Sequence, residues 1–399
     1  MKSIYRRYKV NTTNINNQLN TYGRKKLLLI DCSNLIIAGL HSNVMKKFSI
    51  SRNTLSGETL EYRTGGIYNL LNILRRRGYN LNDTIYAFVF DRPSQKKKKY
   101  RERFGINTQP LTDKDKRNRT EFLISSQILE QYLEKAGFNT IYSEEDGGYE
   151  ADDLIFSLVN KYYGAFEEIH IASSDRDLSV CLDPYNKVKL LGINGMLELM
   201  CENFYSAYGK TIHIPYGTTY LYQTLVGKSN EGRTNQYNQA LFDRFIQTLR
   251  DNQVPLSALQ DPKYTEMAIR EFFKDDKDEL QKYLEIFELI KVRNKEDVHL
   301  HNQDINMEVF KELCSLFRLK TIASKFGIIL DNQPNKQEYK YVMKLIEKVN
   351  NHDVNININE LYGDNEERNK TTNLKPSSLP GTDIKTPNHG KINSHGSVI

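Results

Sequence analysis

The sequence predicts an α/β fold in which a mostly parallel sheet is flanked by helices and followed by an all-helical C-terminal region. Two observations lead to this prediction. Short apolar runs that suit buried strands alternate with longer amphipathic segments that suit helices, an order typical of a parallel sheet covered on both faces. After about residue 191 the apolar spacing becomes helical and remains so to about residue 350.

Five segments are predicted to be strands because each is rich in β-branched or large apolar residues and is bounded by polar or turn residues. They are Lys25–Ile30, Thr84–Phe90, Asn139–Tyr142, Glu168–Ala172 and Val188–Leu191. Helices are predicted between the strands, where apolar residues recur every three or four positions. They are Ile67–Arg77, Thr120–Ala136 and Ala151–Tyr163. His170, which lies inside a strand pattern, is expected to belong to the core.

Composition excludes several classes of protein. The 399 residues carry a net charge of +6, 27% of them are charged, and no window approaches the roughly 18 apolar residues of a membrane helix. The N-terminus lacks the apolar stretch of an export signal. The four cysteines form no Cys-x-x-Cys pair, which argues against a zinc ribbon. We therefore expect a cytoplasmic protein, in the host cytoplasm if it is viral, with no membrane partner.

Changes in composition predict how the chain is divided. We expect a flexible arm over 1–24, an α/β domain over 25–200, a helical domain over 201–362 and a disordered tail over 363–399, which contains no aromatic residue. Within the α/β domain, the segment 92–120 begins with seven basic residues and one acid between Arg92 and Arg103. This local charge suits a polyanion, although a solvated loop is the plainer interpretation.

Acidic residues follow several of the predicted strands. Because ligands of open parallel sheets bind at the carboxyl ends of the strands, these acids are expected to gather at one edge. They are Asp31, Asp91, Asp175 and Asp177, together with Glu150, Asp152 and Asp153, which open a helix after the third strand. Any one of them alone is more simply a helix N-cap. As a set without histidine or cysteine they predict one or two hard cations, Mg²⁺ or Mn²⁺, and hydrolysis of phosphodiesters.

The motifs around these acids resemble the 5′-nuclease superfamily, which includes flap endonucleases, phage 5′-3′ exonucleases and the T-even phage ribonuclease H. The matching stretches are LLLIDCSNL, YAFVFDRP, GYEADDLI and IASSDRDLS. The resemblance covers about residues 25–235 and implies a PIN-like core with a helical arch over 92–120. It implies that Asp31, Asp91, Glu150 and Asp152 hold a first ion, that Asp175 lies between two ions, and that Asp177 serves a second.

The resemblance also implies which residues meet the substrate. Arg101 and Asp175 are expected to act at the scissile phosphate. The expected nucleic-acid-binding residues are Lys96, Lys97, Lys98, Lys99, Tyr100, Arg101, Arg103, Gly65 and Gly66. In the stretch Gly227–Gly232, Lys228 stands where relatives have an acid, and only Glu231 remains as a further metal ligand. A lysine there disfavours a second divalent ion by charge repulsion.

These observations predict a divalent-metal-dependent 5′-3′ exonuclease or flap endonuclease. Its expected partners are DNA or RNA/DNA hybrids with a 5′ end or flap, and replication proteins that bind the tail, in primer removal during phage replication. Two alternatives stay open: a structure-specific DNA-binding protein on a nuclease fold, and a PIN-type ribonuclease. The sequence does not fix the balance of exo- and endonuclease activity or the oligomeric state.

The lysine run from Lys96 to Lys99 gives the first testable prediction. Replacing the four lysines with alanine is expected to weaken binding to all nucleic-acid sequences alike, because phosphate contacts are not base-specific. The slope of log Kd against log salt concentration, measured by fluorescence anisotropy, should fall by about 0.7 to 0.9 per lost contact. An unchanged slope would indicate a solvated loop.

Overall fold

The computed structural model describes residues 25–42, 49–53, 57, 59–75, 79–92, 112–143, 148–191, 198–199, 203–205, 211–226, 239–330 and 336–353. Several predicted features lie outside these residues: the arm 1–24, most of the basic segment, the stretch Gly227–Gly232 and the tail. The beginning of the basic segment, Arg92, and its end from residue 112 are described.

A six-stranded sheet lies at the centre of the described chain. Its strands are β1 (Lys26–Asp31), β4 (Thr84–Phe90), β5 (Asn139–Tyr142), β6 (Glu168–Ala172), β7 (Val188–Leu191) and β8 (Glu198–Leu199), in the order β5-β4-β1-β6-β7-β8. All neighbouring pairs are parallel except β7 and β8. The predicted fold class, a mostly parallel sheet flanked by helices, is confirmed. The five predicted strands are all present, and the first ends one residue later than expected.

Both faces of the sheet are apolar, which is why its strands are continuous hydrophobic runs. Leu27 and Leu29 of β1 contribute to one core, and Leu28 and Ile30 contribute to the other. His170 of β6 is buried, as predicted, and its Nδ1 lies 2.5 Å from the Tyr79 hydroxyl. An apolar core therefore packs on each face of the sheet and supports its strands.

Helices cover both faces. Those in the first half of the chain are α1 (Cys32–His41), α2 (Gly65–Asn72), α3 (Asp113–Lys135) and α4 (Ala151–Tyr162). Those in the second half are α5 (Thr219–Leu225), α6 (Gln239–Asp251), α7 (Pro262–Phe272), α8 (Lys277–Ile290), α9 (Met307–Leu316), α10 (Lys320–Lys325) and α11 (Lys336–Asn350). Short 3-10 helices span Ile73–Arg75, Arg176–Cys181 and Leu256–Gln260. None of the helices in the described residues is long and apolar enough to cross a bilayer.

Several features differ from the sequence-based expectation, among them helix α1, which was not predicted. A hairpin of β2 (Ser49–Asn53) and β3 (Thr59–Arg63) precedes α2, and a small pair of β9 (Asn203–Tyr205) and β10 (Thr211–His213) interrupts the region expected to be helical. Helix α3 begins seven residues before the predicted Thr120. Its extra turns are polar and are started by a capping box in which Thr112 and Asp115 bond each other's backbone amides.

The C-terminal helices complete both cores of the sheet. Side chains of α5, α6 and α8 pack in the core that contains Leu27, and side chains of α9, α10 and α11 pack in the core that contains Leu28. Each core thus combines residues from both sides of the predicted boundary at residue 200. The boundaries of the four predicted regions themselves stay predictions.

The segment that leads into α9 also forms hydrogen bonds with backbone groups of β4 that β5 does not pair. Strand β5 first pairs with β4 at Ala87, so the backbone groups of Tyr86 lie beyond its reach. The Gln303 side chain accepts from the Tyr86 amide at 3.0 Å and donates to the Tyr86 carbonyl. One buried amide side chain thus pairs both backbone groups of Tyr86, whose carbonyl also accepts from the Asn139 side-chain amide at 3.4 Å.

Gly137 gives a stability prediction for the contact between the end of α3 and the segment that precedes α9. Its φ is +84°, and a Cβ at this position would lie 2.4 Å from the Asp304 carbonyl oxygen. Gly137→Ala should therefore lower the free energy of unfolding by at least about 2 kcal/mol, combining left-handed strain with steric overlap. Urea denaturation would measure this loss.

Gly327→Ala is the matched control, because Gly327 has a φ of +69° and no atom lies within 4 Å of the place that an added methyl group would occupy. It should lose only the cost of left-handed strain, about 1 kcal/mol. Equal losses in the two variants would contradict the close approach of Asp304.

Candidate active site

Three acids follow three neighbouring strands at the carboxyl edge of the sheet. Asp31 ends β1, Asp91 follows β4, and Asp175 lies three residues after β6. In the register of the sheet, Asp31 is opposite Val89 and Ile30 is opposite Ala172, so the three strands end at nearly the same level. The predicted gathering of these acids at one edge follows directly from this register.

Asp31 is the most buried of these three acids, with 5% of its surface exposed. It caps α1, because one carboxylate oxygen accepts from the Asn34 amide at 3.1 Å, and the other accepts from the Ser173 hydroxyl at 2.7 Å. Burial raises the pKa of Asp31 to about 7, and the negative charges of Asp175 and Asp91 add to the rise. The two hydrogen bonds oppose it without cancelling it.

Asp91 connects three elements through one carboxylate oxygen. Its Oδ1 accepts from the Ser143 hydroxyl at 3.1 Å and from the Ala151 amide at 3.2 Å, which lie after β5 and at the start of α4. Its own amide donates to the Ser33 hydroxyl at 3.2 Å. The first turn of α4 is thereby tied to the sheet edge.

Asp175 and Asp177 lie on the turn after β6. Asp175 caps the 3-10 helix by accepting from the Asp177 amide at 3.0 Å, and its own amide donates to the Ser173 hydroxyl at 2.9 Å. Asp177 accepts from the side-chain amide of Gln223 at 2.7 Å. Gln223 is buried in α5, so a residue of the C-terminal half fixes one of the predicted ligands.

The two adjacent aspartates at the start of α4 have different surroundings. Burial raises the pKa of the Cys181 thiol, and the negative charge of Asp152 adds to the rise, so Asp152 is near enough to the 3-10 helix for its charge to act there. Asp153 is 4% exposed, and it accepts from the Glu150 amide and from the amide and guanidinium of Arg293 at 3.0, 2.6 and 2.7 Å. Its carboxylate is thus already engaged. In this structure Asp153 is therefore an ion-paired acid that shapes the helix start, and its role as a metal ligand stays a prediction.

Arg92, at the beginning of the basic segment, is also engaged. Its guanidinium pairs with Glu130 at 3.0 Å and lies 4.8 Å from the ring centre of Tyr142. Its amide donates to the Ser143 hydroxyl at 2.6 Å. Burial raises the pKa of Glu130, while the charge of Arg92 lowers it. Arg92 therefore anchors the basic segment at the sheet edge.

The glycines predicted to approach a phosphate are packed against α1. Gly65 and Gly66 are both buried at the start of α2. A Cβ on Gly66 would lie 2.9 Å from the Ile36 side chain, and a Cβ on Gly39 would lie 2.4 Å from the Gly65 carbonyl oxygen. Close packing of two helices therefore explains why glycine occurs here, and phosphate binding by these residues stays a prediction.

The structure brings together part of the predicted site. The charges of Asp91 and Asp175 both act on Asp31. Within the described ranges, however, no three His, Cys, Asp or Glu side chains surround a common point where they could hold an ion. Glu231, Lys228, Arg101 and Arg103 lie outside the described residues, as do Lys96, Lys97, Lys98, Lys99 and Tyr100.

Sequence reasoning missed the polar residues that orient the acids. Ser143 and Ser173 directly follow β5 and β6, so the rule that identified the acids could have found these hydroxyls. Gln223 gives no such signal, because it lies 46 residues from Asp177 inside an apolar helix. The donor set at this edge consists of carboxylate, hydroxyl and amide oxygens, which suits a hard divalent cation.

The comparisons with known proteins agree with the motifs. Residues 26–209, a little under half of the chain, match the family model described as 5′-3′ exonuclease, N-terminal resolvase-like domain. This match confirms the resemblance to the 5′ nucleases. The matched region contains each of the seven acids that were predicted as metal ligands before residue 200, and it supports a nuclease fold for this part of the chain. No curated protein is significantly similar to the chain.

Solved structures of 5′ nucleases are similar at low identity. The T5 5′-exonuclease with bound zinc ions has 16% identity and a TM-score of 0.31, over 67% of this chain and 100% of that chain. Human GEN1 in complex with Holliday junction DNA has 10% identity and a TM-score of 0.42, over 82% of this chain and 76% of that chain. The catalytic core of Rad2 with a DNA substrate has 12% identity and a TM-score of 0.35, over 82% and 94%.

The raised pKa of Asp31 predicts a pH dependence in metal-free buffer. Between about pH 4 and pH 7 the unfolded chain has already ionised this group, whose ordinary pKa is 3.8, while the folded chain keeps it protonated. Folding then binds a proton, so the free energy of unfolding should fall as pH rises, by up to about 1.4 kcal/mol per pH unit. Above about pH 7 this contribution should be constant.

Asp31→Asn should remove this slope and be more stable than the wild type at pH 8 in EDTA, because an amide carries no charge to desolvate. Urea denaturation at pH 5 and pH 8 would measure it. Asp251→Asn, a change on the exposed surface of α6, is the control and should leave the slope unchanged. If the free energy of unfolding of Asp31→Asn changes with pH as steeply as that of the wild type, other groups cause the pH dependence.

Proposed function

We propose that this chain is a divalent-metal-dependent nuclease that hydrolyses phosphodiesters near the 5′ ends of DNA or RNA/DNA hybrids. One observation carries the proposal: three adjacent parallel strands bring Asp31, Asp91 and Asp175 to one sheet edge, where two helical turns add further acids. Buried like charges are costly unless a cation compensates them, so a site of this composition favours metal binding over a purely structural role.

The residues that would hold the ion are Asp31, Asp91, Glu150, Asp152, Asp175 and Asp177. A bound Mg²⁺ or Mn²⁺ would activate water and stabilise the leaving oxygen of a phosphodiester. The donor set fits such an ion by its chemistry, since it offers oxygen atoms only. The family description of residues 26–209 as a 5′-3′ exonuclease domain supports the same assignment.

The protein residues around the acids have positioning roles in this proposal. Ser173 orients Asp31, Ser143 orients Asp91 and Gln223 orients Asp177, each by one hydrogen bond of 2.7 to 3.1 Å. Arg101 and the lysines from Lys96 to Lys99 would bind the 5′ strand and neutralise the developing charge at phosphorus. Glu231 would extend the site towards a second ion, against the charge of Lys228.

The biological setting belongs to the same proposal. We propose that the protein removes RNA primers in phage replication and that Mg²⁺ is the ion it uses. We also propose that the tail binds replication proteins. The competing function is a structure-specific DNA-binding protein. The observation that favours it is the absence, within the described residues, of three acids around one point.

Cleavage assays separate these functions. The full chain would be incubated with a 5′-labelled flap, a nicked duplex and an RNA/DNA hybrid, in Mg²⁺, Mn²⁺ or EDTA. The proposal expects metal-dependent release of 5′ products from at least one substrate. Binding without cleavage in either metal would favour the binding protein, and cleavage of single-stranded RNA alone, in an added arm, would favour a PIN-type ribonuclease.

Asp175→Asn is the decisive variant. The amide keeps the shape of the carboxylate and the cap of the 3-10 helix but loses the charge, so cleavage should fall by at least about a hundredfold while affinity for DNA is retained. Asp251→Asn is again the control and should cleave at the wild-type rate. Undiminished cleavage by Asp175→Asn in Mg²⁺ would contradict the assignment of the site.

A further inference from the structure

The segment 293–295 lies against the start of α4, 140 residues away from it in sequence. Arg293 donates its amide and its guanidinium to the two oxygens of Asp153, at 2.6 and 2.7 Å. The Lys295 amide donates to the Ser157 hydroxyl at 2.7 Å, and this hydroxyl donates to the Asp153 carbonyl at 2.6 Å. The contact therefore involves the first two turns of the helix.

The same segment encloses the residue that precedes Glu150. The Arg293 guanidinium lies 5.0 Å and the Lys295 ammonium 5.3 Å from the ring centre of Tyr149. Cations at this distance from an aromatic face are attracted to it. Two cations therefore contact Tyr149, which leads into α4, and the ion pair of Arg293 with Asp153 holds the start of the helix.

The start of α4 lies between this contact and the sheet edge. On one side, the Glu150 amide donates to the Asp153 oxygen that Arg293 also binds. On the other side, the Ala151 amide donates to Asp91 at the end of β4. A shift of Asp153 would therefore move the backbone that carries Glu150 and Asp152.

We propose that Arg293 is a positioning residue for the acidic site: by holding Asp153 it sets the position of the helix start from which Glu150 and Asp152 meet the acids of the sheet edge. This inference rests on the proposed function, since it takes Glu150 and Asp152 as metal ligands. It adds a residue outside the matched region 26–209 to the machinery of the site. Partners that orient the ligands of a metal typically change metal affinity or activity by 10- to 100-fold when they are removed.

Binding of Mn²⁺ to the full chain, measured by calorimetry without nucleic acid, tests the inference. Arg293→Met keeps the apolar stem and removes the guanidinium, and the Mn²⁺ Kd should rise by about tenfold or more. The paired variant Arg293→Met with Asp153→Asn has the net charge of the wild type, so a loss of affinity in this variant reports position and not a changed field. We expect a comparable loss there.

The exposed ion pair of Arg270 and Glu266 on α7 provides the matched control. Arg270 Nη2 and Glu266 Oε1 are 2.7 Å apart. Arg270→Met with Glu266→Gln makes the same change in charge, far along the chain from the acids. This pair should leave the Mn²⁺ Kd unchanged. Arg293→Lys should lie between wild type and Arg293→Met, because an ammonium keeps the charge but loses the forked geometry. It also serves if Arg293→Met does not fold.

The outcomes separate the inference from the proposed function. A wild type that binds no Mn²⁺ and cleaves no substrate would overturn both. A wild type that binds Mn²⁺, beside folded Arg293 variants with unchanged Kd and only a lower Tm, would overturn the positioning role alone. Tighter binding in Arg293→Met with wild-type binding in the paired variant would also overturn it, since Arg293 would then act through its charge only.

Discussion

The mutual repulsion of carboxylates at the sheet edge is the constraint on which the arrangement of the site depends. Asp31, Asp91 and Asp175 are placed there by strands whose ends are fixed by the register, so they cannot move apart. Each instead receives hydrogen bonds from the protein. Ser173 forms hydrogen bonds with two of these residues, because its hydroxyl donates to Asp31 and accepts from the Asp175 amide. One serine thus couples the acids of two neighbouring strands, and the cation of the proposed function would compensate the charges that remain.

The rest of the fold keeps this edge rigid. The apolar side chains of the central strands alternate between two cores, and helices from the second half of the chain fill both of them. The C-terminal half is therefore part of the support of the site. Two of its residues reach the acids directly: Gln223 donates to Asp177, and Arg293 donates to Asp153. Loss of packing in the C-terminal helices would reach the acids through these two contacts.

Local patterns were sufficient to predict five strands of the central sheet, three of the helices beside them and the acids that follow the strands. The hairpin was missed because SISRN and TLEYR contain mostly polar residues, and its Arg63 is held by Glu121 and Asn118 of α3, far along the chain. The first turns of α3 were missed because DKDKRNR has no apolar face, and a capping box and charged side chains stabilise it instead. The partner of Asp153 could not be predicted, because nothing in a single sequence links positions 140 residues apart.

The pair Asp152 and Asp153 shows why a motif does not assign roles to each of its residues. Successive residues of an α-helix point about 100° apart, so two adjacent acids at a helix start leave the helix in different directions. The charge of Asp152 acts on Cys181, in the 3-10 helix that follows Asp175 and contains Asp177, and Asp153 binds Arg293. A cation of the protein compensates Asp153, which leaves Glu150 and Asp152 as the acids with which this helix start can serve the sheet edge. The motif therefore combines an acid that fixes the helix start with acids that this fixed start presents to the site.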